Sequence, residues 1–226
     1  MIDTMIFDFN GTMFFDAGFQ KVAWKQFLMQ NFKVKMTEFE FQKHIAGRNN
    51  RDTFEYYSRH KITEAELGAM TAEKEKIYCD LCLSKPAEFH LVAGLPMFLD
   101  QCQRQGIKLN IATASERSNV EFFFKHLNLA RWFDIDQVSL NDFSLPGKPA
   151  PDMFLRAITN VQAIRTTCAI FEDSVSGIQA ANRAQVGEIV LVEDPKAKVE
   201  AIPDGLRIDQ KISDYYQISE TLTEHK

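Results

Sequence analysis

Apolar residues follow two rhythms along this chain, and the change between them divides it. The run Met5-Ile6-Phe7 stops at Asp8, and Gly11 follows three positions later. A short apolar run closed by an acid and a glycine predicts a buried strand leaving the core into a turn, with Asp8 at its carboxyl edge. Residues from about 16 to 90 then show helical periodicity and hardly any strand signal. Val22, Phe27 and Leu28 form an apolar stripe continued around Trp24, and Phe39, Phe41 and Ile45 read similarly. Gly47-Arg48-Asn49-Asn50 interrupts the pattern. A helix resumes over 51–59, Thr63 offers a cap before the acidic turn at Glu64 and Glu66, and a long helix runs from about 66 to 83, ended by Pro86.

From Leu91 the rhythm changes to alternating helices and strands. Helices are expected over 95–105, 119–128, 152–161 and 175–184, and strands over 107–113, 168–172 and 188–192, with a weak strand at 138–140. This alternation predicts a doubly wound, parallel α/β sheet. The first strand belongs to that sheet. The expected organisation is therefore an α/β core from residues 1–15 and 92–226, with 16–91 inserted as a helical domain. The last residues read as a polar, frayed tail.

Composition narrows the function classes. The chain has 226 residues, 45% hydrophobic and 25% charged, as in ordinary globular proteins with room for a sizeable insertion. A net charge of −5 gives no broad footprint for nucleic acid. No apolar run approaches the roughly 18 residues of a membrane span, and the N-terminus enters a strand without the marks of a leader. A cytoplasmic enzyme or binding protein, acting as a monomer without nucleic-acid or membrane partners, is expected. Cys79 and Cys82 form a CxxC inside a helical segment without a second pair or a nearby His pair, so they read as small buried thiols rather than metal or redox ligands.

The strand ends carry the chemistry. The first strand ends in Asp8, the strand from Ile107 in Thr113-Ala114-Ser115, and the strand from Cys168 in Glu172-Asp173-Ser174. Between them lies the rigid loop Pro146-Gly147-Lys148-Pro149-Ala150-Pro151, just before a helix. In an open α/β sheet ligands bind at this edge. Three carboxylates in one cleft repel in a low dielectric, and a hard, oxygen-liganded cation such as Mg²⁺ relieves this while leaving room for waters and a phosphate. A carboxylate beside such a cation can attack phosphorus, with Thr113 and Lys148 holding the equatorial oxygens.

Four stretches in this order carry a family resemblance: Asp8-Phe9-Asn10-Gly11-Thr12, Thr113-Ala114-Ser115, Gly147-Lys148-Pro149-Ala150-Pro151-Asp152, and Glu172-Asp173-Ser174-Val175-Ser176-Gly177. They resemble the motifs of the haloacid dehalogenase (HAD) superfamily, in its β-phosphoglucomutase-like branch. The resemblance implies a Rossmann-like core with a mobile α-helical cap, and a Mg²⁺-dependent enzyme transferring phosphoryl groups. It makes Asp8 the nucleophile, and Thr113 and Lys148 the phosphoryl-binding groups. Asp8, the Asn10 backbone carbonyl and Asp173 become metal ligands, with Glu172 a further direct or water-mediated one. In the cap it points to Lys74, four residues before Tyr78, and to Arg48 and Arg51, which flank the family's phosphate-binding Arg position at Asn50. Gln20, Ala114 and Ser115 complete the expected substrate-binding set.

Two positions depart from the family pattern. Asn10 stands where the family has the acid that shuttles protons, a role typically worth roughly 10²–10⁴ in rate. Gln20 stands where the mutases have a His coupling substrate binding to cap closure. The expected function is hydrolysis of a small phosphorylated metabolite, a sugar phosphate by the branch, through an aspartyl phosphate. The alternatives are a phosphomutase and a weakly catalytic phosphate-binding protein.

Overall fold

A computed structural model describes residues 1–45, 49–197 and 201–218. The chain forms two compact units, Met1–Phe15 with His90–Lys226, and Asp16–Phe89.

The first unit is built on a five-stranded parallel sheet of order β2-β1-β3-β4-β5. Its strands are β1 (Thr4–Phe7), β2 (Lys108–Ile111), β3 (Cys168–Glu172), β4 (Glu188–Val192) and β5 (Gln210–Ile212). β1 and β3 are buried at every position, as expected of central parallel strands covered on both faces. Side chains alternate between the two layers. Ile6 and Ile170 pack with Phe154 of α7 (Asp152–Asn160) and Ile178 of α8 (Val175–Ala184). On the other face Phe7 stacks on Phe171, ring centres 4.6 Å apart, and meets Phe98 of α5 (Leu95–Arg104) edge-on. A further helix of this unit, α6 (Arg117–His126), stacks Phe123 on Phe9 with ring centres 4.1 Å apart.

Register decides what happens at the sheet edge. Phe7 pairs with Ile111 on one side and Phe171 on the other. Asp8 is therefore level with Ala112 and Glu172, and Thr113 and Asp173 are one residue further on. The order 2-1-3-4-5 puts the topological switch between β1 and β3, where Asp8 and the Glu172-Asp173 pair emerge.

The second unit is helical: α1 (Ala17–Phe32), α2 (Glu38–His44), α3 (Asn50–Ser58) and α4 (Glu64–Ser84). Thr37 with Glu40 and Thr63 with Glu66 form complete capping boxes that start α2 and α4. The core gathers Trp24, Phe27, Leu28, Ile45, Phe54 and Ile62, with Phe27 and Phe54 ring centres 5.2 Å apart. Burial pushes the Cys79 and Cys82 thiols up to about 11 and about 12, so both are held protonated.

Several expectations are corrected. Val22 and Phe39 are 37% and 68% exposed. On α1 the buried face is centred between Phe19 and Leu28, and Val22 lies roughly 150° around the helix from it. Phe39 is two residues, about 200°, from the inward Phe41. Residues 138–140 form no strand, only a bridge of Ser139 to Ala112. The segment still runs beside 111–115, with Ser139 N–H donating to the Ile111 carbonyl and Asn141 N–H to the Ser115 carbonyl, while Arg156 of α7 donates to the Ser139 hydroxyl and to the Leu140 carbonyl. β5 was not anticipated; its Ile212 and, just beyond it, Tyr215 are buried, while the polar tail at 219–226 lies outside the described residues. Among the described residues no helix is long and apolar enough to cross a membrane.

Two glycines give opposite expectations. A Cβ on Gly177, in the first turn of α8, would fall 1.8 Å from the Glu172 carboxyl group. Gly68, exposed within α4, has nothing within 4 Å of that position. Gly177→Ala is expected to cost about 1–3 kcal/mol through overpacking, and Gly68→Ala to add about 0.5–1 kcal/mol through helix propensity. Denaturant unfolding of the two variants beside the parent chain measures both signs.

Candidate active site

Each functional side chain at the sheet edge is fixed by the element that delivers it. Asp8 is one residue past β1, yet its N–H still donates to the Phe171 carbonyl at 2.9 Å, so its position follows the ladder. The chain then turns tightly at Gly11, whose φ of +82° favours glycine. A Cβ there would lie 2.0 Å from Oδ2 of Asp173, so the carboxylate rests directly on the turn. Thr12 completes the contact, its hydroxyl donating to Asp173 Oδ1 at 3.2 Å.

Glu172 is the last residue of β3 and is 1% exposed. Its Oε2 accepts from the N–H and hydroxyl of Ser174 at 2.7 and 3.0 Å, and the same hydroxyl caps α8 at Gly177 N. Its Oε1 accepts from the Lys148 ammonium at 2.6 Å, and Lys148 also donates to Asp8 Oδ1. The Lys148 side chain is only 9% exposed. Burial alone would lower its pKa, but the charges of Asp8 and Glu172 overcome that and hold it above the ordinary lysine value. The three prolines of 146–151 limit the loop's freedom, Ala150 N–H closes a turn on the Gly147 carbonyl, and Arg183 donates to the Pro149 carbonyl at 2.6 Å.

On the other side of β1, Thr113 is 2% exposed. Its N–H donates to the Ser139 carbonyl, and its hydroxyl accepts from Ser115 N–H at 3.1 Å. Ser115 in turn donates to Asn10 Oδ1 at 2.9 Å, while Ala114 is exposed. Oxygens of Asp8, Glu172 and Asp173 all lie within 4.8 Å of one another, an oxygen-only set with the spacing to hold a metal ion.

The expected core set is thus assembled from four loops. Thr12, Ser174 and Arg156 were not singled out from the sequence. The spacing of Ser174 to Gly177 is a readable cap, but Arg156 looks like any helix-face cation until its partners Ser139, Leu140, Asp142 and Ser144 are seen.

The candidates in the helical unit divide differently. Lys74, 4% exposed, donates to Gln20 Oε1 at 2.7 Å and Glu75 at 2.8 Å, with its ammonium 5.3 Å from the Trp24 ring centre. Gln20 donates onward to Asp16 Oδ2, which also receives the Tyr78 hydroxyl, both at 3.0 Å. Arg51 is engaged by its own unit, donating to the Ile62 carbonyl at 2.9 Å and to Glu64 at 2.5 Å. Asn50 reaches Thr71 at 3.4 Å. Arg48 lies outside the described residues.

Comparison with known proteins accords with this geometry. The haloacid dehalogenase-like hydrolase profile matches residues 5–191. Among curated relatives, a phosphorylated carbohydrates phosphatase of Thermotoga maritima is 27% identical over 133 residues, covering 57% of each chain. The match therefore spans little more than half of that relative's length. A beta-phosphoglucomutase of Bacillus subtilis is 25% identical over 187 residues, 80% of this chain and 79% of its own. The solved structure of a HAD hydrolase, family IA, variant 3, from Entamoeba histolytica has a TM-score of 0.88 at 27% identity, covering 98% of this chain and 97% of its own. The profile runs from the first strand of the sheet nearly to the end of the fourth, and all four loops that meet at the sheet edge fall inside it. The chain belongs to the haloacid dehalogenase-like hydrolase family.

Proposed function

We propose that this protein is a Mg²⁺-dependent phosphohydrolase acting on a small phosphorylated metabolite, in particular a sugar phosphate, through phosphorylation of Asp8. The observation that supports this most directly is the convergence of Asp8, Glu172 and Asp173 within 4.8 Å beside Lys148. Three carboxylates against the Lys148 ammonium leave a formal charge of about minus two, and the donors are all hard oxygens, which suits a divalent hard cation. Asp8, Asp173 and the Asn10 carbonyl would hold Mg²⁺, with Glu172 a direct or water-mediated ligand. When bound, the ion supplies charge neutralisation for the phosphoryl oxygens.

In this reading an Asp8 carboxylate oxygen attacks phosphorus, and the bond from phosphorus to the leaving oxygen breaks with its electron pair passing to that oxygen. The leaving oxygen takes its proton from solvent; water then adds to phosphorus and returns a proton to solvent, the bond to Asp8 breaks with its electron pair going back to the carboxylate, and phosphate leaves. Lys148 balances charge on the equatorial oxygens in both steps, and the Thr113 hydroxyl donates a hydrogen bond to one of them. Asn10 supplies no transferable proton, and its side-chain oxygen already accepts from Ser115. Leaving groups that need little protonation are therefore favoured. The carbohydrate-phosphate chemistry named for the Thermotoga and Bacillus relatives supports the substrate class. A phosphomutase must shuttle protons and shelter its phosphoenzyme from water, and Asn10 opposes that reading. The helical unit is assigned to substrate selection, with Lys74 and Gln20 as its contact residues.

An aryl phosphate, with its good leaving group, is the first substrate to assay. Asp8→Asn should abolish turnover, and Asn10→Asp should raise turnover, by up to about 10²–10⁴ on sugar phosphates, whose leaving oxygen needs a proton, and by less on the aryl phosphate. Peptide mass analysis must accompany the assay, because deamidation at Asn10-Gly11 would create the acid spontaneously. No activity in the parent or in Asn10→Asp, with Mg²⁺ bound to both, would refute the enzyme reading. Chelation of divalent ions should remove activity and added Mg²⁺ restore it; chelator-resistant turnover would refute the metal requirement.

A further inference from the structure

We propose that Tyr215 is a positioning residue for the Asp173 carboxylate, acting through the Thr12 peptide. The inference rests on the reading of Asp173 as a ligand for a divalent cation. Asp173 follows the last residue of β3 and is itself exposed, so the strand ladder does not fix its side chain. Both of its oxygens are instead located by the Gly11-Thr12 turn: Oδ1 accepts from the Thr12 hydroxyl, and Oδ2 lies 2.0 Å from where a Cβ of Gly11 would stand. Displacing that turn would displace the Thr12 hydroxyl that Oδ1 accepts from and the surface that Oδ2 rests on.

Tyr215 holds the turn from behind. Its hydroxyl donates to the Thr12 carbonyl at 3.2 Å in a buried contact, and Thr12 is 0% exposed. Tyr215 is anchored in turn: its N–H donates to the Ala93 carbonyl at 2.8 Å, and its ring packs 5.9 Å from Phe98, 5.7 Å from Phe171 and 6.2 Å from Phe7. An aromatic cluster of this kind would accept Phe equally well, and a buried hydroxyl is costly unless it is bonded. The hydroxyl is thus explained by the carbonyl it holds. Burial first, and then the charges of Asp8 and Asp173, raise its pKa well above the ordinary tyrosine value, which keeps it a donor. A contact more than 200 positions along the chain from Thr12 thereby sets the geometry of a ligand carboxylate.

Calorimetric titration of the full chain with Mg²⁺ tests this, using the parent, Tyr215→Phe and Asp173→Asn, with thermal unfolding recorded for each. Tyr215→Phe is expected to weaken Mg²⁺ binding about two- to tenfold, the range of one neutral hydrogen bond, and aryl phosphate hydrolysis should recover at raised Mg²⁺. A lowered Tm with parental Mg²⁺ affinity would mean that Tyr215 serves stability alone, and would overturn the inference. If Tyr215→Phe does not fold, Thr12→Val tests the step that follows, the Thr12 hydroxyl on Asp173 Oδ1, and parental affinity there overturns the inference. A parent that binds no Mg²⁺, or an Asp173→Asn variant that binds as the parent does, would overturn the cation reading itself and this inference with it.

Discussion

Like charge crowded at the end of two adjacent strands is the constraint on which the rest of this structure depends. Parallel pairing of β1 with β3 in the observed register brings Asp8 level with Glu172, with Asp173 one residue on. The neighbouring features answer that crowding. Lys148 bridges two of the acids, Ser174 takes the second oxygen of Glu172, and Thr12 takes one of Asp173. Gly11 and Gly177 omit the side chains that would occupy the space the carboxylates need.

Where the sequence was readable, the physics was local. Strands β3 and β4 and helix α8 begin and end as expected, because a continuous apolar run and a cap between turn signals leave little ambiguity. Asp8, Thr113, Glu172 and Asp173 could be nominated because each terminates or follows such a run, and Lys148 because it is the one cation of a proline-rich loop just before a helix. What failed was tertiary. β5 has only three residues, and one of them, Lys211, is exposed, so its identity as a strand comes from pairing with Val190–Val192 rather than from its own pattern. Residues 138–140 have strand composition but make only a single bridge to Ala112, and the Leu140 carbonyl is taken by Arg156, a residue whose own environment gives it no mark in sequence. The stripe assigned to Val22 failed because only part of α1's circumference is buried.

The two halves of the nominated site differ in the same way. The core residues were tied to strand ends, which constrain position to within a residue. Those of the helical unit were tied to helix faces, which constrain direction only. Lys74 and Gln20 meet in one hydrogen-bonded chain with Asp16 and Tyr78, whereas Arg51, on the first turn of α3, closes on the α3–α4 connection instead. A guanidinium at a helix start has local carbonyls and carboxylates within reach, and sequence spacing cannot tell those partners from a ligand.

The Lys148 bridge also bears on how the molecule is made. Lys148 lies 140 positions from Asp8 and 24 from Glu172. A folding chain that pairs β1 with β3 before the 146–151 loop has docked brings the acids together without their ammonium, so the central pairing of the sheet is opposed by its own functional end. Seating that loop relieves the opposition. The stacking of Phe7 on Phe171 therefore favours the pairing until the 146–151 loop docks, and completion of the sheet edge is tied to the seating of that one loop.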